Sequence, residues 1–205
     1  MKKFWERYSY DVVKLLLDQF AVAMFGIVLA ISIGKAENHS LQIVAGVAAI
    51  IFYLFLQYTV MWQAGTRAKI RIDGGRETGS PLTGLYIALL ANIPNFILAV
   101  LVTLGETFPQ VDACGQIGAV ASVIALFWEG MYTGVLTIDV AGAPLNSYWW
   151  TYFLIIVPSL ILCTVAFWFG IKGYHATNIL IAETPEDLEL KREAKEKKKH
   201  KDEEE

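Results

Sequence analysis

Apolar residues along this chain gather into five long runs, 15–33, 41–64, 82–104, 117–138 and 148–171, separated by short polar stretches. Each run is about twenty residues or longer, the length an α-helix needs to cross ~30 Å of hydrocarbon. Ahead of the first run the pattern is different. Trp5, Tyr8, Val12 and Leu15 or Leu16 recur at three-to-four spacing, while Glu6, Arg7, Asp11 and Lys14 fall mostly elsewhere around the helix. That spacing predicts an amphipathic interfacial segment over residues 1–18. After the last run, Thr184-Pro185-Glu186-Asp187 reads as a helix start, and the residues from Lys191 onward are almost all charged. A segment so polar has no face to bury, so 183–205 is expected to be a charged helical or disordered tail. The expected fold is an all-α integral membrane protein. Residues 15–182 form its multi-pass domain, a bundle of four to five transmembrane helices.

Charge sharpens this picture. Between Arg76 and Lys172 there is no lysine or arginine. A soluble domain does not leave so much surface without a cation, whereas lipid-embedded protein does, since each Lys or Arg in hydrocarbon costs several kcal/mol. Charged residues make up 18% of the chain and mean hydropathy is +0.45, against roughly a quarter charged in soluble proteins. Four cations, Arg67, Lys69, Arg71 and Arg76, sit in the loop 66–81, and Lys2, Lys3, Arg7 and Lys14 lie near the N-terminus. The positive-inside rule places both on the cytoplasmic side of a cell membrane, consistent with the two runs between them. Within the loop, Ile70, Ile72 and the turn Asp73-Gly74-Gly75 read as a small hairpin. Its basic patch is a topology signal first and a site for anionic headgroups second.

Parity then raises a question. If Lys172 and the tail are also cytoplasmic, segment 77–171 must cross an even number of times, yet it offers three runs. The fourth is the suspect one, because Glu129 lies near its centre and no cation in any run can neutralise it. A re-entrant or split helix over 117–138 resolves both the parity and the charge.

The remaining chemistry is polar but not catalytic. Pro94 and Pro158 each lack an N–H, leave the carbonyls of Leu90 and Leu154 without a donor, and mark helix breaks. Asn92 and Asn95 flank the first break and Gln57 lies inside the second run, so Glu129, Asn92, Asn95 and Gln57 form the candidate polar membrane site. Gly118 and Ser122, then Gly130 and Gly134, give small residues at four-residue spacing suited to helix packing, including packing against a protein partner or a second copy. Histidines 39, 175 and 200 are scattered, there is no His-Glu-x-x-His pair or Gly-x-Ser-x-Gly elbow, and no Gly-Lys-Ser/Thr follows Gly74-Gly75. The chain therefore reads as a non-enzyme that needs no cofactor or metal and binds no nucleic acid. Its two cysteines, Cys114 and Cys163, read as free thiols. Two functional classes remain. One is a non-catalytic assembly or regulatory component; the other is a solute permease or transport subunit using Glu129 with Asn92 and Asn95.

Overall fold

The first helix runs without interruption from one end of the molecule to the other. In the computed structural model, which describes residues 2–34, 39–76, 78–80, 82–140 and 142–174, α1 (Lys2–Gly34) is 33 residues long. That is about 50 Å at 1.5 Å per residue. The interfacial segment and the first apolar run are thus one rod. No proline or glycine intervenes before Gly26, and Tyr8, Asp11, Val12, Leu15, Gln19, Val22 and Ala23 make one buried stripe along it.

The second helix, α2 (His39–Asp73), is antiparallel to α1 and runs through the expected loop as far as Asp73. The anticipated Ile70–Ile72 hairpin does not form. Nothing breaks the helix between Ala64 and Asp73, and Ala68 and Ile72 continue its packed face. It passes through Gly46 and Gly65 and ends at the Gly74-Gly75 pair. Gly75 takes φ +67°, Arg76 N–H bonds to Arg71 O at 2.9 Å and Gly75 N–H to Ile72 O at 2.9 Å, a Schellman cap.

Two bent pairs and a further helix follow. α3 (Leu82–Ala91) and α4 (Ile93–Thr107) meet at Asn92 with a 58° bend, two residues ahead of Pro94. α5 (Asp112–Trp128) is followed by Glu129, a 3-10 turn at Gly130–Tyr132 and the short α6 (Thr133–Leu136), with an 80° bend. A two-residue hairpin, β1 (Asp139–Val140) with β2 (Ala143–Pro144), leads to α7 (Thr151–Leu154) and α8 (Ile156–Lys172). The last two run on as one apolar stretch of 22 residues with only a short interruption at Ile155, three residues before Pro158. The fold is all-α. Among the described residues three helices are long and apolar enough to cross a membrane, or up to five if each bent pair counts as one span.

The contacts show which elements traverse the bundle. Asp11 of α1 pairs with Arg67 of α2, and Arg71 donates to Tyr8, so the start of α1 and the end of α2 share a basic end. Gly84 of α3 packs on Phe167 of α8, and Gly65 of α2 on Gly170, which brings the start of α3 and the end of α8 there as well. Asn92 and Asn95 reach the middle, facing Ser159 and Gln19. α4 continues to the far end, where Gly105 touches Gly118 near the start of α5.

α5 descends from the far end alongside α4 until Trp128 meets Phe20, with 5.8 Å between ring centroids. After Glu129 the chain turns back. Gly130 lies against Ala23 and Gly26 of α1, and Gly134 against Gln42 and Gly46 near the start of α2. These are backbone-to-backbone contacts: a Cβ on Gly26 would come within 2.6 Å of Gly130 O, and one on Gly46 within 2.8 Å of Gly134 Cα. Thus α5 and α6 enter and leave at the same end. Four segments traverse the bundle, and Lys172 lies at the same end as the start of α1.

Residues 1–172 form one unit; of the second unit, 173–205, only Gly173 and Tyr174 are described. The charged tail 183–205, His175, His200 and the turn at 35–38 lie outside the described residues.

Candidate functional site

A continuous polar network crosses the centre of the bundle. Gln19 of α1 and Asn95 of α4 exchange amides: Gln19 Nε2 donates to Asn95 Oδ1 at 2.7 Å and Asn95 Nδ2 to Gln19 Oε1 at 3.3 Å. Asn95 Nδ2 also donates to Asn92 Oδ1 at 2.8 Å. Asn92 Nδ2 in turn reaches Ala88 O at 2.9 Å and Ser159 Oγ of α8 at 3.4 Å. On the other side, Tyr53 OH donates to Gln19 Oε1 at 3.4 Å and accepts from Gln57 Nε2 at 2.6 Å, and the Cys163 thiol lies 3.9 Å from Gln57 Oε1. All seven residues are buried. Every traversing segment contributes at least one of them.

The bend at Asn92 makes this arrangement possible. With Pro94 as the second residue of α4, the helix restarts there, and Asn92 and Asn95 fall three apart on the inner face. The network holds hydroxyls, amides and one thiol. A closed set of this kind locks four helices in register, because each buried group left unpaired costs about 1–3 kcal/mol.

Glu129 stands apart from that network. Its side chain is 1% exposed, and neither carboxylate oxygen has a hydrogen-bond partner. The structure therefore brings Asn92, Asn95 and Gln57 together and leaves Glu129 outside, at the turn of the in-and-out hairpin. Other unpartnered buried atoms occur around the same turn. Trp128 Nε1 precedes it and Thr133 Oγ1 follows one turn later; the fourth residue with such an atom is Thr151, in α7. Thr151 lies one turn before Ile155, whose carbonyl accepts from Tyr132 OH at 3.1 Å. Tyr132 also meets the Tyr53 ring edge-on at 6.3 Å, so the turn touches the amide network through an aromatic contact.

The two halves of the bundle give this turn unequal surroundings. A cavity of about 110 Å³ opens at the far end, lined by Ile33, Gln42, Gly46, Gly26, Gly130 and Thr133 among others. It has room for several waters and its wall includes the residue directly after Glu129. Towards the basic end the core is apolar and closed: Val60, Met61, Ala64, Ile87, Ala91 and Phe167 are all buried.

The turn offers a carboxyl group, hydroxyl oxygens and the carbonyl end of α5, whose dipole favours positive charge. Such a set suits a proton or a small cation. Among the described residues no three His, Cys, Asp or Glu side chains come together as a metal site.

The helix breaks differ in kind. Pro94 accompanies a sharp bend and Pro158 does not. Gly118, Gly130 and Gly134, offered by the sequence as a surface for a partner, make contacts within the chain, and Ser122 donates to Gly118 O at 2.9 Å. Arg67 and Arg71 are engaged with Asp11 and Tyr8, while Lys69 is half-buried on the same stretch of α2 and Arg76 lies exposed just past its cap.

Sequence reasoning missed Gln19, Tyr53, Ser159 and Asp11. The signal was present: Gln19 and Asp11 fall on the Tyr8–Val12–Leu15–Ala23 stripe, and Tyr53 sits one turn before Gln57. The chain matches no protein-family model, and neither curated proteins nor solved structures give a match.

Proposed function

We propose that this is a polytopic membrane protein with four crossings and one re-entrant hairpin, acting as a transport subunit in which Glu129 takes up and releases a proton or a small cation. The length and apolarity of the traversing helices support the membrane placement. The gathering of Arg67, Lys69, Arg71, Arg76 and Lys172 at one end supports a cytoplasmic position for that end. An even number of crossings then leaves both ends of residues 1–172 on that side.

One observation carries the transport reading: Glu129 is buried with both oxygens unpartnered at the tip of the hairpin. Structural carboxylates in a low-dielectric interior are paired, because an isolated charge there is very costly. An unpaired one, whose next residue lines a cavity with room for several waters, is suited to binding a proton or cation that arrives from the far end and leaves after the apolar half opens.

A second reading, a non-catalytic assembly or regulatory component, draws support from the closed apolar half, which leaves no route for a larger solute within one copy. Glu129→Gln and Glu129→Leu separate the two. In sealed liposomes, proton flux and sodium uptake driven by a membrane potential should be lost in both variants, with insertion and yield unchanged. Wild-type flux in Glu129→Leu refutes the transport role. No flux in the wild-type protein favours the assembly reading.

A further inference from the structure

Six hydroxyls in the apolar helices, those of Ser32, Thr59, Thr66, Thr103, Ser122 and Thr164, donate to the carbonyl four residues back at 2.7–3.0 Å. That is the ordinary resting place for a helix hydroxyl without water at hand. Thr133 departs from it. The carbonyl four residues back belongs to Glu129 and accepts from Tyr132 N–H at 2.8 Å, while Thr133 Oγ1 is buried with no partner in the protein. Such a group costs about 1–3 kcal/mol, and it lies one turn after a carboxyl group that is unpartnered too.

The surroundings single out this hydroxyl. The charge of Glu129 reaches three tyrosines, Tyr53, Tyr132 and Tyr152. Each already commits its hydroxyl proton: Tyr53 to Gln19 Oε1, Tyr132 to Ile155 O and Tyr152 to Asn146 O. Thr133 and Thr151 hold the two unpartnered hydroxyls described around the turn, and of these only Thr133 lines the cavity of about 110 Å³, beside Gln42 and Thr137. A crevice of about 330 Å³ on another side of Thr133, between Ile27, Ile31, Leu126 and Phe127, is apolar and offers a proton no route. Thr133 thus stands in the wall between the cavity and the buried turn, with its oxygen turned out of the cavity's open space.

We propose that Thr133 relays a proton between that cavity and Glu129, which makes the proton the species this site exchanges. The relay deepens the transport reading above and rests on it. A threonine in a helix has two accessible χ1 wells. A turn between them exchanges the hydroxyl with the methyl group and brings Oγ1 to the cavity. Glu129 lies beyond hydrogen-bond distance of Thr133, and since neither group is tied to another partner, rotation of the Glu129 side chain closes the gap without breaking a hydrogen bond. In the transfer, a lone pair on Oγ1 takes a proton from hydronium in the cavity, leaving water, and the original Oγ1–H proton passes to a carboxylate oxygen. The hydroxyl is neutral before and after, and Glu129 becomes the carboxylic acid. A metal ion is served less well, because the residue before Glu129 presents a buried, unpartnered donor, Trp128 Nε1–H.

The test compares two variants of the full chain: Thr133→Val keeps the shape and loses the hydroxyl, and Thr133→Ser keeps the hydroxyl. Thr133→Val strands no partner and should be at least as stable as the wild-type protein, whereas loss of a structural hydroxyl would destabilise it. In lipid films, at a pH that keeps Glu129 protonated, its carbonyl stretch is the infrared band missing from Glu129→Gln, and its shift in D2O reports proton exchange. Thr133→Val should slow that exchange about a hundredfold and Thr133→Ser less than about threefold, with potential-driven proton flux in liposomes following the same order. That pattern supports the relay. Unchanged exchange in a well-folded Thr133→Val overturns it, and flux lost in Glu129→Gln alone would then leave the transport reading standing. Slowed exchange in Thr133→Val with no flux in the wild-type protein supports the relay and overturns the transport reading instead. Sodium uptake that depends on Glu129 overturns the assignment of the proton.

Discussion

The seating of the hairpin on α4 can be tested with two glycines of one helix. A methyl group added at Gly118 would lie 2.6 Å from Gly105 Cα, about 0.9 Å inside the ~3.5 Å at which two carbons rest. Both partners are backbone, so no rotamer change relieves the clash, and α5 must lift from α4 at a cost of about 1–3 kcal/mol. Gly115 lies one turn earlier in the same helix, and the one atom near its added methyl is Pro109 O at 3.7 Å, an ordinary contact. Replacing glycine by alanine inside a helix favours folding by roughly 0.5–1 kcal/mol in either position. That gain cancels in the comparison. Gly118→Ala should therefore be less stable than Gly115→Ala by about 1–3 kcal/mol, measured by equilibrium unfolding in mixed micelles followed by circular dichroism. Gly105→Ala with Gly118→Ala should deviate from additivity, since both methyls compete for one gap. Equal stability of Gly118→Ala and Gly115→Ala would refute the close approach of α5 to α4.

Two further predictions concern the basic end and the centre. Arg67→Gln leaves Asp11, 3% exposed, without its ion-pair partner. The loss should be about 2–3 kcal/mol, below the 3–5 of a fully buried pair because Arg67 is half in solvent, and Asp11→Asn with Arg67→Gln should recover most of it in a double-mutant cycle. Asn95→Leu strands Gln19 Nε2 and Asn92 Oδ1 and should destabilise by about 2–3 kcal/mol, whereas adding Gln19→Leu should restore part of that loss, read by the same unfolding titration.

How much of this was legible in the sequence depends on what each residue reports. Apolar run length is a local property, and it located the helical segments well. Helix ends were not marked by the loss of apolar character. α2 continued through Arg67, Lys69 and Arg71 because charge alone does not stop a helix, and it ended at the Gly74-Gly75 pair, where Gly75 takes a positive φ; the amphipathic start of α1 merged with its apolar continuation for want of a breaker. Pro94 and the pair Asn92–Asn95 announced a bend, which falls at Asn92. Glu129 marked the fourth run as irregular, but the direction of the chain after it was hidden. That direction is decided by Gly130 against Gly26 and Gly134 against Gly46, contacts between residues roughly ninety to a hundred positions apart in sequence, which no spacing within the run encodes. The same contacts explain why small residues offered to a partner by their spacing are packed inside the chain. Within the site, Asn92, Asn95 and Gln57 signalled polarity inside apolar runs, yet the link between them passes through Gln19 and Tyr53. Only the buried stripe of α1 pointed to Gln19.

The central claim, a hairpin that enters and leaves by one side while four segments cross, is tested most directly by where its two ends are exposed. Single cysteines at Gln110→Cys, just before α5, and Asp139→Cys, just after α6, in a Cys114→Ser, Cys163→Ser background, are treated with an impermeant maleimide in sealed vesicles of known orientation. Asp73→Cys at the end of α2 marks the basic side. Positions 110 and 139 should react from the same face and position 73 from the other. Reaction of 110 and 139 from opposite faces would contradict that claim, and would make α5 and α6 a fifth crossing.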